Sequence, residues 1–437
     1  MNESNLQYFK DTKIQFIDGD RGKNYPSKSE FIDDGHCLFL DTKNVTESGF
    51  NFRKVLFISK EKDQLLANGK LQRGDIVLTS RGTLGNLAFY GDDIPYEHIR
   101  INSGMLIVRT DSKEYLPYYL YIFLQSDIFK RQCNQISSGS AQPQLPVNAL
   151  KNASILKKDL INQRKIEQVI RCLDDKIELN IKINAELEAM AKLIYDYWFV
   201  QFDFPDKNGK PYKASGGKMI YNEVLKREIP VGWHAAKLKD VISRCATGLN
   251  PRNNFNLGEG ENYYITIKSI ENGRIIFDDR CDFISDESLK IIDERSNLQV
   301  GDVLFTSIQP VGVTYLIQEK PTNWNINESV FTIRANPERI TSDFLYMMLS
   351  STEIKTFTKQ SSTGSVHKGI RHGVLKDFNL PYGGKGITES FTEAVNPILM
   401  KSFMLDKENQ QLNQLRDWLL PMLITGQLKI NPLKNHL

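Results

Sequence analysis

"LQRGDIVLTSRGTLG" occupies residues 71–85, and "LQVGDVLFTSIQPVG" occupies residues 298–312. Seven of the fifteen positions are identical: Leu, Gln, Gly, Asp, Thr, Ser and the closing Gly, at an offset of 227 in a chain of 437 residues. The match continues outward at an offset of 225. "INSGMLIVR" (101–109) is answered by "INESVFTIR" (326–334), "YLYIFLQSDIFK" (119–130) by "FLYMMLSSTEIK" (344–355), and "ALKNASI" (149–155) by "VLKDFNL" (374–380). A register held over that distance marks a tandem duplication of a large unit, since solenoid repeats have periods of ~20–50 residues.

Each copy ends in a long apolar stripe with 4-3 spacing. The first runs through Ile166, Ile170, Leu173, Ile177, Asn184, Leu187 and Ile194. The second runs through Phe391, Val395, Ile398, Leu405, Asn409, Leu412 and Leu419, with Asn184 answered by Asn409. About four heptads of this spacing predict a coiled coil rather than a helix buried alone on its own globule. Ile166 to Ile194 is 29 residues, or ~43 Å of helix, and one turn of B-DNA is ~34–36 Å. The asparagines suit two roles, fixing register within the pair or facing helices from another protein.

The order is therefore globule (1–154), helix (155–203), linker (204–229), globule (230–379), helix (380–437). The Lys-, Gly- and Pro-rich "FPDKNGKPYKASGGK" (204–218) reads as a flexible connector. Trp233 then anchors the second globule. Ile76–Leu78 and Val303–Phe305 are short apolar runs of the kind that form strands buried on both faces. Residues 105–109 and 330–334 read as neighbouring strands, and 117–133 and 342–357 as helices packed on them. The fold class expected is α+β: two homologous α/β, β-rich globules and two long helices.

Composition excludes more than it assigns. No apolar run nears the ~20 residues of a membrane span, and the polar start "MNESNLQYFKDTK" has no signal-peptide character. Five scattered cysteines without a C-x-x-C argue against disulfides and zinc knuckles, so a cytoplasmic protein without a metal site is expected. "GDRGKNYPSKS" (19–29) lacks phosphate-loop spacing, no H-E-x-x-H occurs, and no Asn/Asp-Pro-Pro-Tyr/Phe tetrapeptide occurs. No catalytic residues are therefore assigned. The net charge of +3 permits a nucleic-acid partner without requiring one.

The two copies diverge at their loop tips. Arg81-Gly82-Thr83-Leu84 stands against Ile308-Gln309-Pro310-Val311, and "SSGSAQPQL" (137–145) against "SSTGSVHKGI" (361–370). Such loops are either solvated connections or sets of N–H groups and hydroxyls suited to phosphates and base edges. On the second reading the DNA contacts are Ser80, Arg81, Thr83, Ser138, Ser140 and Gln142 in the first globule. In the second they are Ser307, Gln309, Thr363, Ser365 and His367, with Arg21, Lys23, Asn24 and Lys268 on further loops. A self-contained nuclease or methyltransferase with an unfamiliar site, and a scaffold with no DNA role, remain the alternatives.

Taken together, the chain resembles the specificity subunits of type I restriction–modification systems along nearly its whole length. "IQFIDGDRGKNYPSKSEF" (14–31) is similar to one opening of a first recognition domain, and "IPVGWHAAKLKDV" (229–241) to the start of a second. "QRKIEQVIRCLDDKIELNIKINAELEAMAKLIYDYWF" (163–199) resembles the central helical region, and "NQLRDWLLPMLITGQLKI" (413–430) the distal one. The family's frequent Pro-Pro before the central helix and its N-terminal P-x-G-W are missing. The resemblance implies two target-recognition domains, each reading half of a split double-stranded DNA sequence. It implies helices pairing antiparallel with a pseudo-two-fold, and docking of two methyltransferase subunits and of restriction (translocase/nuclease) subunits. The S-adenosylmethionine, ATP and Mg2+ of such a complex would belong to those partners, leaving this chain non-catalytic and without a cofactor.

Overall fold

The computed structural model describes residues 6–137, 144–271, 273–278, 281–362, 369–428 and 430. The chain divides into two compact units, residues 1–179 with 409–437, and residues 180–408. Each unit holds one β-rich globule and a segment of both long helices.

In the first unit, a four-stranded antiparallel sheet has the order Gln15–Asp18, Met105–Arg109, Ile76–Thr79, Leu87–Phe89. A three-stranded sheet follows the order Phe57–Ile58, Cys37–Leu40, Ile99–Ile101, with its last pair parallel. The second unit repeats this strand for strand. Its four-stranded sheet runs Ile242–Thr247, Val330–Ala335, Val303–Thr306, Thr314–Leu316, and its three-stranded sheet Asp282–Ile284, Asn262–Ile265, Trp324–Ile326, again with the last pair parallel. The duplication is thus one of topology as well as sequence.

The apolar runs behave as their composition dictates. Ile76 and Leu78 pack into a core with Phe9, Tyr119 and Phe123, while Val77 packs on the opposite face with Leu38, Leu40 and Met105. Val303 and Phe305 likewise face one core and Leu304 another. Period-2 alternation buried on both sides explains why no polar residue interrupts the run.

The shared polar positions brace that strand. Asp75 is 1% exposed; it accepts from the Gln72 N–H at 2.7 Å and takes the Arg109 guanidinium on both oxygens at 2.8 and 2.6 Å. Asp302 repeats this with the Gln299 N–H at 2.9 Å and with Arg334 at 2.6 and 2.8 Å. These carboxylates hold the pKa of each arginine above its ordinary value. The Thr79 hydroxyl donates to the Thr83 carbonyl and accepts from the Asn86 N–H; the Thr306 hydroxyl does the same with Pro310 and Val313.

Each sheet-packing helix is two helices, Pro117–Gln125 with Asp127–Ser137, and Ser342–Leu349 with Thr352–Ser361. The break in the second copy falls at Ser351, whose hydroxyl accepts from the Ile354 N–H, the preferred use of serine at a helix start.

The first long helix spans Leu160–Tyr195, capped by Asp159 through the Asn162 N–H. The second spans Lys385–Thr425 and stops at Gly426, whose φ of +80° suits a residue without Cβ. Every residue of the two sequence-derived stripes is buried or half-buried. Within the first unit Ile166 and Ile170 share a core with Leu420, Leu423 and Ile424. Lys165 bonds the Ile430 carbonyl and Asp174 meets Arg416 at 3.2 Å. Within the second unit Tyr195 packs on Phe391, Asn180 donates to Glu408 at 2.8 Å, and Asn184 to Asp406 at 2.6 Å. In each unit the partner numbers fall on one helix as they rise on the other, so the segments run antiparallel. Asn184 thus contacts a carboxylate of the second helix inside the chain.

The segment 204–218 is ordered, contrary to its composition. Phe204 stacks between Tyr212 (4.9 Å) and Trp233 (5.2 Å), and Asp206 accepts from the N–H groups of Asn208 and Lys210. The hairpin Met219–Asn222 with Arg227–Pro230 follows. The lysines and glycines advertised flexibility, but three aromatics separated in sequence fold the segment. No helix among the described residues is long and apolar enough to cross a membrane.

Candidate nucleic-acid interface

In the first globule, four loops meet at one end of the strand Ile76–Thr79. The N–H groups of Ser80 and Arg81 both donate to the Gly104 carbonyl, at 2.9 and 3.1 Å. The Arg21 guanidinium reaches the neighbouring Ser103 carbonyl at 3.2 Å and Asp18 at 2.9 Å. Thr42 lies against Gly104, where an added Cβ would come within 2.8 Å of its methyl group. The Leu145 N–H returns to the Ser80 carbonyl at 3.1 Å. Asp20 shapes the loop carrying Arg21 and Lys23, accepting from the N–H groups of Gly22 and Ala67 at 2.7 and 2.8 Å. Burial pushes its pKa up, but these N–H groups and Arg100 prevail and hold it below the ordinary value.

The second globule assembles the same end. Ser307 N–H donates to the Ser329 carbonyl at 2.9 Å, and Ile370 N–H returns to the Ser307 carbonyl at 2.8 Å. Gly248 approaches the strand-end backbone so closely that a Cβ would meet the Ile326 carbonyl oxygen at 1.7 Å, as Gly19 does at the Asn102 carbonyl oxygen at 2.1 Å. Only glycine fits at these two matching close approaches.

This geometry sorts the candidates. Arg81, Thr83, Gln309, Arg21, Lys23 and Lys268 are exposed. Asn24 is half-buried and donates to the Leu65 carbonyl at 3.1 Å. Ser80 and Ser307 are buried, and their hydroxyls bond the Gly104 and Ser329 carbonyls at 3.1 and 2.8 Å. Those two serines brace the loops rather than crown them, which is why they are identical in both copies. Ser138, Ser140, Gln142, Thr363, Ser365 and His367 lie outside the described residues. Two exposed cations were missed. Lys43 occupies the position that Lys268 holds in the other copy, each within the short 3-10 turn after a strand of the three-stranded sheet, and Arg252 stands on the loop after Gly248. The 225 offset applied to Lys268 would have found Lys43.

The matching ends face the question of family. Residues 15–189 and 230–383 match the family described as Type I restriction modification DNA specificity domain, once per copy. The chain belongs to this family. As a specificity-domain protein it is 25% identical over 371 residues to the type I restriction enzyme MjaIX specificity subunit of Methanocaldococcus jannaschii, covering 83% of this chain and 79% of that one. It is 22% identical over 463 residues to the HindI specificity subunit of Haemophilus influenzae, covering 94% and 98%. The crystal structure of a type I restriction-modification system S subunit from M. genitalium shares the fold, with a TM-score of 0.54 and 14% identity over 96% of this chain and 95% of that one. The specificity subunit described here, like those relatives, is the DNA sequence-recognition component of a type I restriction–modification system, with mixed helix and sheet in a two-domain repeat. Among the described residues no group of three or more His, Cys, Asp or Glu side chains is placed to hold a metal ion.

A second exposed surface lies on the long helices, apart from their buried stripes. Met190 and Leu193 on the first long helix are 52% and 64% exposed, followed one turn on by exposed Tyr197. Leu415 and Trp418 on the second are 42% and 64% exposed, followed by half-buried Met422. The two triplets are related by the same 225 offset, as are exposed Leu179 and Met404. At 3.6 residues per turn each set lies on one helix face, away from the buried stripe.

Proposed function

We propose that each globule reads one half of a bipartite double-stranded DNA target through the loop cluster at the end of its central strand. The supporting observation is a frame repeated strand for strand whose tips differ in chemistry. Arg81 and Thr83 offer donors in the first tip, where the second offers Gln309 beside a proline. Arginine pairs with guanine and glutamine with adenine in the major groove. Arg21, Lys23, Lys43, Lys268 and Arg252 supply phosphate contacts that set orientation. From sequence, Ser138, Ser140, Gln142, Thr363, Ser365 and His367 are proposed as further DNA contacts.

The two long helices pair as an antiparallel coiled coil and act as the ruler between half-sites. The contacts within each unit support the pairing, and the 36-residue length of the first helix, ~54 Å, supports the ruler. The repeated apolar triplets dock two methyltransferase subunits, one on each helix, and restriction subunits join that core. This chain is non-catalytic and cytoplasmic and holds no cofactor of its own. S-adenosylmethionine belongs to the methyltransferases, and ATP and Mg2+ to the restriction subunits. Methylome sequencing of cells expressing this chain with its methyltransferase tests the reading. A single split motif is expected; methylation by the purified chain alone would overturn it.

A further inference from the structure

The second globule packs on its helix segments around a cavity of about 460 Å³. On one side is an aromatic pivot, in which Phe344 packs on Phe199 at 4.6 Å and on Tyr195 at 6.2 Å, with Phe391 against both helix aromatics. On the other side stands Arg274, on the hairpin of Ile270–Glu271 and Arg274–Ile275. Its Nε meets Asp406 on the second long helix at 2.6 Å, and its Nη2 meets Glu188 on the first at 2.9 Å. Asp406 also accepts from Asn184 at 2.6 Å. Ile270 and Ile275, each 3% exposed, lock the hairpin into the globule's core. One guanidinium therefore joins the globule's hairpin to both helices at the wall of that cavity.

The first copy is built differently. The residue at the position of Arg274 is Gly49, where an added Cβ would have nothing within 4 Å. The position of Ala191, which lines the cavity, is taken by Arg416, paired with Asp174 at 3.2 Å, and Asp174 accepts from Tyr118 at 2.7 Å. Phe89 packs on Tyr118 and Tyr121 beside it. There, the arginine stands on the helix and pairs with the other helix; in the second copy it stands on the globule and pairs with both helices.

We infer that Arg274 is a positioning residue that fixes the tilt of the second recognition globule about its aromatic pivot, and so sets how strictly the gap between half-sites is read. Without Arg274 the globule keeps its pivot and the exposed Lys407–Glu319 pair at 2.6 Å, a solvated contact to one helix that permits rocking, and a small rotation there is amplified at the far reading end. The inference rests on the bipartite reading proposed above. The test uses the full chain with its methyltransferase partner and DNAs whose gap is the native length or one base pair longer or shorter. Arg274→Ala should lower the preference for the native gap about tenfold, which corresponds to ~1.4 kcal/mol, while keeping methylation at the native gap. Glu188→Gln with Asp406→Asn should reproduce that loss, and adding Arg274→Ala to the pair should change nothing further, as for groups acting in one network. An unchanged gap preference in both the single and the double variant overturns the clamp, and so does a loss equal at all gap lengths. A wild-type complex that methylates no split site would instead overturn the bipartite reading itself.

Discussion

Asp75 and Asp302 explain why the repeated stretch keeps its Gly-Asp. Each caps a turn and holds an arginine of the neighbouring strand, so the residue serves the frame and not the target. Replacing either by alanine leaves an arginine facing a void. Because Arg109 and Arg334 keep about a quarter of their side chains in water, the loss should be about 2–4 kcal/mol, toward the low side for a broken buried pair; denaturant unfolding of the variant measures it. Asp63 carries a pH signature in the first globule. Burial pushes its pKa up, but hydrogen bonds from Lys70 and Arg100 outweigh this and hold it below the ordinary value. A lowered carboxylate pKa stabilises the fold above about pH 3.9 and loses that contribution as the pH falls through the folded-state value. The stability gap between wild type and Asp63→Asn should therefore shrink on acidification, which thermal melts across pH follow. At the tips the expectation reverses. Arg81→Ala should leave stability unchanged, cost about 1–3 kcal/mol of DNA binding and relax one base position in one half-site. A uniform loss across sequences would make Arg81 a phosphate contact instead.

The long helices carry two separable faces. The buried stripes were legible from 4-3 spacing alone, because a seam that must stay dry repeats at the helical period. The exposed triplets were not, since Met190, Leu193, Leu415 and Trp418 look like scattered apolar residues until the 225 offset aligns them. Leu193→Asp and Trp418→Asp should each abolish binding of one methyltransferase copy without altering the thermal melt of this chain; the mass of the assembled complex by light scattering reports the stoichiometry. The connector was misread for a complementary reason. Local composition records lysines and glycines, whereas the stack of Phe204 on Tyr212 and Trp233 depends on partners brought together by the fold. The continuous sheet-packing helices were over-extended because Ser126 and Ser351 fit a helix interior by hydropathy but act at its ends.

For the whole molecule, duplication is the organising fact. One frame is written twice, with matching sheet orders, matching glycine approaches and matching acid–arginine braces, and differences stand at the tips, at the ion pairs where each globule meets its helices, and at the hairpin after residue 218. Such a plan predicts modularity. Inserting one heptad into both long helices should lengthen the gap between half-sites while leaving both half-sites unchanged; methylation mapping detects it, and an unchanged gap would remove the ruler. Sequence alone carried the duplication, the two cores and the exposed tips, because these depend on period and polarity. The asymmetry of the two junctions lay beyond it, since Arg274 and Gly49 differ in a hairpin whose neighbours are set by tertiary packing. The most direct test of two independent reading heads is to replace residues 230–379 with the corresponding globule of a relative of different specificity and sequence the methylome. One half of the recognition motif should change to the donor's while the other half stays. A change in both halves, or in neither, would contradict the account.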